Sequence, residues 1–239
     1  MDNQNNLQHP GQYAPQLNVS ALNKFYGKVY GIFAGGLGLS ALTAWLGANV
    51  FRTQFLNFID RFPLGFWGLW IAQLVLVLLM GKKATKNPSF TLAGFIVYSL
   101  LTGLTLTVTL MTYSKATVVQ AFVTATVTFA GAALVGMFIK KDLSVVGRVS
   151  LILVWGLIIT MLLNVFIFHS TGLDLILAIG GVLVFTGLTA YDNQMIRTYY
   201  YQFQNQENTG IAAFVALQLY LDFINIFLYL LRIFGYDDN

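Results

Sequence analysis

Cysteine is absent from all 239 residues, so the chain has no disulfide framework and no thiol chemistry, and its redox compartment stays open. Charge is nearly as scarce. Lys, Arg, Asp and Glu make up 9% of the sequence, against about 25% in a soluble globular domain. His169, in the outer loop between the fifth and sixth spans, has no histidine or cysteine near it in the sequence to complete a metal site and is expected in solvent. No basic stretch followed by a short apolar run and a small-residue cleavage site opens the chain, so no signal peptide is expected.

Apolar length fills the space that charge leaves. The sequence is 57% hydrophobic and 15% aromatic, with mean hydropathy +0.70, and this reads as an all-α integral membrane protein. A helix crosses a bilayer of roughly 30 Å with about 20 residues. Seven runs fit: Lys24–Ala48, Leu64–Met80, Phe90–Met111, Ala116–Ile139, Val149–Phe168, Leu173–Tyr191 and Ile211–Phe234. They are continuous, whereas barrel strands would alternate over about 10 residues, so seven transmembrane helices are expected. Residues 1–23 carry Asn, Gln and two prolines and cannot bury a core, which predicts a disordered polar tail. The membrane domain is read as 24–235, with a short C-terminal tail at 236–239.

Basic residues set the orientation, because cytoplasmic loops retain them. Lys24, Lys28, Lys82, Lys83, Lys86, Lys140, Lys141, Arg148 and Arg197 lie on one side, against Arg52, Arg61, Lys115 and Arg232 on the other. The N-terminus is therefore expected in the cytoplasm and the C-terminus outside, in a multi-pass cell-membrane protein. This opposes a receptor of the G-protein-coupled kind. A retinal protein is disfavoured as well, since the last span has no lysine for a Schiff base. The net charge of +4 is what inner loops carry to set topology, so the partner is the lipid bilayer and no nucleic acid is expected.

Asp222 interrupts the last apolar run, and an ionisable group inside a bilayer costs at least ~2.5 kcal/mol on insertion scales. Gln218, Asp222, Asn225, Tyr229 and Arg232 follow spacings of four, three, four and three, which places them on one helix face as a polar seam. A helix with such a seam belongs at the centre of a bundle. Asp222 is either a functional carboxylate or a structural hydrogen-bonding group. Asp192, at the expected inner end of the sixth span, is either part of the same site or an interfacial carboxylate paired with Arg197 or a loop lysine. Asp222 lies about 17 Å along its helix at roughly 1.5 Å per residue, so a meeting requires a deep sixth-span end or a late-starting seventh. Two ionised carboxylates about 4 Å apart repel by roughly 4 kcal/mol at an effective dielectric near 20. Such a pair holds one shared proton, titrates as a unit and acts as a pH switch. Deprotonated, it suits a hard cation such as Ca²⁺.

Other features read as packing. Gly27, Gly31 and Gly35 share a face of the first span and are expected to admit a neighbouring helix of the same chain, with dimerisation the other reading. Thr102, Thr105, Thr107, Thr109, Thr112, Thr124, Thr126 and Thr128 are expected to return hydrogen bonds to their own helices, and some to line a wet cavity. Asn164 is expected to bond across the bundle. Asp60, Arg61, Asp237 and Asp238 read as interfacial charges.

Phe185-Thr186-Gly187-Leu188-Thr189-Ala190-Tyr191-Asp192-Asn193-Gln194-Met195-Ile196-Arg197 and Leu219-Tyr220-Leu221-Asp222-Phe223-Ile224-Asn225-Ile226-Phe227-Leu228-Tyr229-Leu230-Leu231-Arg232 resemble the signatures of the Bax inhibitor family. Thr102-Gly103-Leu104-Thr105-Leu106-Thr107 and Lys140-Lys141-Asp142-Leu143-Ser144 agree. The resemblance spans about Lys24 to Gly235. It implies a last helix wrapped by the other six, and a pH-sensitive Ca²⁺ leak controlled by a di-aspartyl unit at Asp192 and Asp222, with no cofactor. It also implies roles in ion homeostasis and stress tolerance. In the bacterial leak members of the family an arginine in the second span latches one aspartate. Here that span offers only Gln73 inside and Lys82 or Lys83 at its end.

Three functions are compared. A cation leak uses the seam and both carboxylates. A non-conducting regulator that binds another membrane protein is the alternative. An intramembrane aspartyl protease, and with it an enzyme, is disfavoured: Gln218-Leu219-Tyr220-Leu221 replaces a glycine-containing motif before Asp222, and no proline follows Pro88.

Overall fold

The computed structural model describes residues 19–203 and 209–236. The expected polar tail lies outside the described residues as far as residue 18, and residues 237–239 lie outside them as well. Among the described residues every regular element is helical: α1 Val19–Asn49, α2 Arg52–Arg61, α3 Pro63–Lys83, α4 Pro88–Thr112, α5 Lys115–Phe138, α6 Ser144–Leu163 with a π-helical end at Asn164–Phe168, α7 Thr171–Gln202 and α8 Thr209–Phe234. Local chemistry sets the starts. Pro63 and Pro88 occupy first-turn positions where no amide hydrogen is needed. Asn87 accepts from Phe90 N, Ser114 from Thr117 N and Ser170 from Leu173 N, each satisfying a first-turn amide.

Six of these helices, α1, α4, α5, α6 with its π end, α7 and α8, are long and apolar enough to cross a membrane. The sequence suggested a seventh, which falls on α3. This helix leaves the end of α2 and finishes where Gly81 meets Phe214 and where Ala84 and Pro88 crowd Gly210 at the start of α8.

The last helix is the centre. α8 packs on α1, α3, α4, α5 and α7 and is the most buried of the six, whereas α6 packs mainly on α7 and is the least buried. The expected ring of six around α8 is therefore corrected for α6. Its only buried residues within Ser144–Leu163 are Gly147 and Ser150, small groups that seat it against Tyr191 and Gly187 of α7.

Small residues set these distances. The buried stripe of α5 is Thr117, Ala121, Ala125, Phe129, Ala132, Ala133 and Gly136, and it carries α5 close to α7 and α8. At Gly136 the backbone of Ala190 occupies the place of a side chain. The glycines expected to pack in α1 do not. Gly27, Gly31 and Gly35 meet nothing within 4 Å, while Gly36 lies against Phe95 and Ser99 and Gly47 against Thr107. Spacing places three glycines on one face, but bulkier Phe25, Val29 and Phe33 turn the opposite face inward. Thr102, Thr107, Thr112 and Thr126 return their hydroxyls to carbonyls four residues back, as expected.

Gly136→Ala is expected to destabilise the protein by about 1–3 kcal/mol through overpacking. Gly131→Ala, where nothing lies within 4 Å, is expected to be neutral or to stabilise by up to about 1 kcal/mol. Thermal unfolding of both variants in one detergent checks the contrast.

Candidate functional site

α7 is longer than hydropathy indicates. The sixth span was expected to end at Tyr191, yet the helix continues to Gln202, because Ile196 and Tyr200 are buried and keep this polar stretch in the bundle. At 32 residues it is about 48 Å long at roughly 1.5 Å per residue. Asp192 therefore lies within a helix, level with the middle of α8.

Four of the five seam residues of α8 meet α7 along most of its length. Gln218 lies beside Tyr199. Asp222 lies beside Thr189 and within electrostatic reach of Asp192. Tyr229 covers Gly181 and its ring centroid is 5.9 Å from that of Phe185. Arg232 Nη1 lies 3.9 Å from Asp174 Oδ1. Asn225 departs from this pattern and donates to its own helix at Leu221 O, 2.8 Å away. Asp192 and Asp222 are 8% and 3% exposed, and Asp222 Oδ2 is buried without a hydrogen-bond partner. A carboxylate so placed carries a large cost when charged. The interfacial reading of Asp192 fails, since among the described residues no ion pair joins it to Arg197 or to a lysine.

The residues suggested as a latch stand elsewhere. Gln73 faces α4, where Thr102 Oγ1 donates to its Oε1 at 3.4 Å, and its Nε2 has no partner. Lys82 and Lys83 are exposed at the end of α3. α3 packs on α4 and α8, and among the described residues no ion pair joins Lys82 or Lys83 to either aspartate.

Several residues join the site without having been singled out. Tyr30 Oη donates to Asn193 Oδ1, and Asn193 Nδ2 donates to Thr189 O at 2.7 Å. This ties α1 to the turn of α7 that carries Asp192. Gln194 does the same for the loop between α5 and α6: Leu143 N donates to its Oε1 and its Nε2 donates to Lys141 O, both at 2.8 Å. In that loop Asp142 Oδ1 accepts from the Ser144 hydroxyl and amide, and these bonds hold its exposed carboxyl below the usual carboxylate range. Their signal was present in the motifs around Asp192 and Asp142, but a motif does not disclose that the two bind each other.

At the opposite end of the bundle Asn164 closes the turn before α7 instead of crossing the bundle. Its amide bonds both backbone groups of Ser170 and donates to Asp174 Oδ1. His169 is exposed there, as expected, with φ 50°. A cavity of about 300 Å³ lined by Tyr113, Asp174, Arg232 and Tyr236 opens beside it.

Comparison with known proteins places this geometry among relatives. The family described as "Inhibitor of apoptosis-promoting Bax1" matches residues 22–239. The uncharacterized protein YrjE of Lactococcus lactis is 41% identical over 214 residues, covering 90% of this chain and 91% of its own. An uncharacterized membrane protein of Streptococcus pyogenes is 36% identical over 217 residues, with 91% and 94% covered. The inner membrane protein YbhL of Escherichia coli is 37% identical over 220 residues, with 90% and 93% covered.

Gln194→Ala removes both bonds to the α5–α6 loop and is expected to lower stability by about 1–3 kcal/mol. Gln194→Glu keeps the acceptor for Leu143 N and loses the donor to Lys141 O, so its unfolding temperature in detergent should fall between wild type and Gln194→Ala.

Proposed function

The chain belongs to the Bax inhibitor family, and on that premise we propose that it is a pH-sensitive cation leak, with Ca²⁺ the candidate ion, controlled by a proton-sharing pair formed by Asp192 and Asp222. One observation carries the reading. Asp222 is buried on the central helix with an unpartnered oxygen, beside α7 and within reach of the charge of Asp192. Two carboxylates confined in a low-dielectric site oppose a second negative charge, so one proton serves both. Its loss adds a charge that water does not reach. The site relieves that charge by helix separation, by water entry or by taking a hard cation on its oxygens.

Neighbouring groups set how this switch moves. The Thr189 hydroxyl lies beside Asp222 but donates to Phe185 O at 2.8 Å, which leaves the carboxyl without that proton. The Tyr30–Asn193 bond and the Gln194 clamp position the α7 turn bearing Asp192. Arg232, paired with Asp174 and 6.0 Å from the Tyr229 ring centroid, brings positive charge to the far end of the seam. With no arginine in α3, the closed state in this reading rests on α7–α8 packing.

In this reading α3 is a seventh span, which gives a cytoplasmic N-terminus and an outside C-terminus, and the protein serves ion homeostasis and stress tolerance. Support for α3 comes from its course between the end of α2 and the start of α4, and for the cell membrane from relatives such as inner membrane protein YbhL. A second reading, a non-conducting regulator bound to another membrane protein, draws on the open face of Gly27, Gly31 and Gly35. Small residues of this kind admit a partner helix.

Ca²⁺ flux into dye-loaded liposomes, measured across neutral pH, separates the two. Wild-type protein is expected to leak in a pH-dependent way, and Asp192→Asn and Asp222→Asn each to lose that dependence. No flux above empty liposomes at any pH from folded protein defeats the leak and leaves the regulator.

A further inference from the structure

Between α1 and α3 lies a helix that the membrane bundle does not use. α2, Arg52–Arg61, has no buried residue, yet it is sharply two-faced. At about 100° per residue, Phe55, Leu56, Phe58 and Ile59 fall on one side, with Phe62 just beyond its end continuing that side. Thr53, Gln54, Asn57, Asp60 and Arg61 fall on the other, while Arg52 stands at the N-terminal end on the apolar side. Leu56, Phe58 and Phe62 are 41%, 43% and 54% exposed, which would be a liability for a helix in water.

Position removes the difficulty. α1 is long and apolar enough to span, so its end at Asn49 marks a membrane face. The turn that follows is held by Val50 N and Phe51 N on Leu46 O, and α2 starts directly after it. At its other end Phe62 N bonds Phe58 O and Gly65 N bonds Phe62 O, which passes the chain into α3 without a slack linker. α2 is thus held at the level where hydrocarbon gives way to headgroups. Phe55 and Ile59 are partly covered by the protein, while Leu56, Phe58 and Phe62 stay exposed, and the medium there supplies their cover. The two arginines sit one at each end, and the Arg61 guanidinium lies 6.0 Å from the Phe62 ring centroid, so its stem follows apolar surface while its charge remains available to phosphate.

We propose that α2 is an interfacial helix lying in the plane of the membrane surface, its phenylalanine face inserted among acyl chains and its arginines on phospholipid phosphates. It anchors the α1–α3 connection to the bilayer by a surface that neither the seam nor the aspartate pair requires.

Because the chain has no cysteine, single labels can be placed in the native background. Leu56→Cys, Asn57→Cys, Phe58→Cys and Asp60→Cys, each carrying a nitroxide, are reconstituted in phosphatidylethanolamine and phosphatidylglycerol vesicles. Collisions with oxygen and with a water-soluble nickel chelate are then compared. The expected result is a several-fold higher oxygen-to-nickel ratio at positions 56 and 58 than at 57 and 60, repeating with the helical period. Equal ratios at all four positions would place α2 in water. Low collision with both reagents at 56 and 58 would show a protein cover, a second copy or another partner. Either result overturns the proposal, and neither depends on whether the protein conducts ions.

Discussion

A carboxylate on the central helix of a membrane bundle is the constraint to which the rest of this structure answers. Asp222 cannot face lipid, so α8 has to sit inside, and it does, with neighbours on most of its circumference. Its polar face then requires a helix that can receive it over several turns. α7 does so in antiparallel register, from Tyr199 beside Gln218 at one end to the Arg232–Asp174 pair at the other. The pair itself is partly exposed at 38% and 44%, so its contribution is small. The energetic weight lies in the buried middle of the seam.

That seam is possible only because neighbouring helices approach closely. Gly136 admits the backbone of α7, Gly181 admits the Tyr229 ring, and Gly147 admits Tyr191 from the α6 side. In lipid there is little hydrophobic gain from bringing apolar helices together, so packing of this kind and interhelical hydrogen bonds carry the association. The second polar cluster follows the same logic. Ser40 Oγ and Tyr220 Oη lie 2.5 Å apart, linking α1 to the side of α8 turned away from Asp222, while Thr102 and Gln73 join α4 to α3. The central helix is thereby held by polar contacts on two sides, of which only one carries carboxylates.

Much of this was legible in the sequence. Continuous apolar runs gave six spans near their observed positions, and spacing alone placed Gln218, Asp222, Asn225, Tyr229 and Arg232 on one face. What stayed hidden has physical causes. Asp192–Gln202 is polar enough to resemble a loop, and only packing against other helices shows that it is helical. Gly27, Gly31 and Gly35 share a face, but spacing does not say whether that face looks in or out. α2 is too short for a span, so hydropathy merges it with the connection, although its two-sidedness is written in ten residues. The bonds of Gln194 to Lys141 and Leu143 join segments about fifty residues apart, and no local pattern encodes that meeting.

The central claim is that Asp192 and Asp222 behave as one titrating unit. Infrared titration of the protonated carboxyl band, in protein reconstituted in lipid, tests it most directly. The account predicts a buried carboxyl signal in wild type whose titration shifts when either Asp192→Asn or Asp222→Asn is introduced, because each residue's proton depends on the other's charge. Two independent carboxyl signals, each unmoved by substitution of the other aspartate, would contradict it.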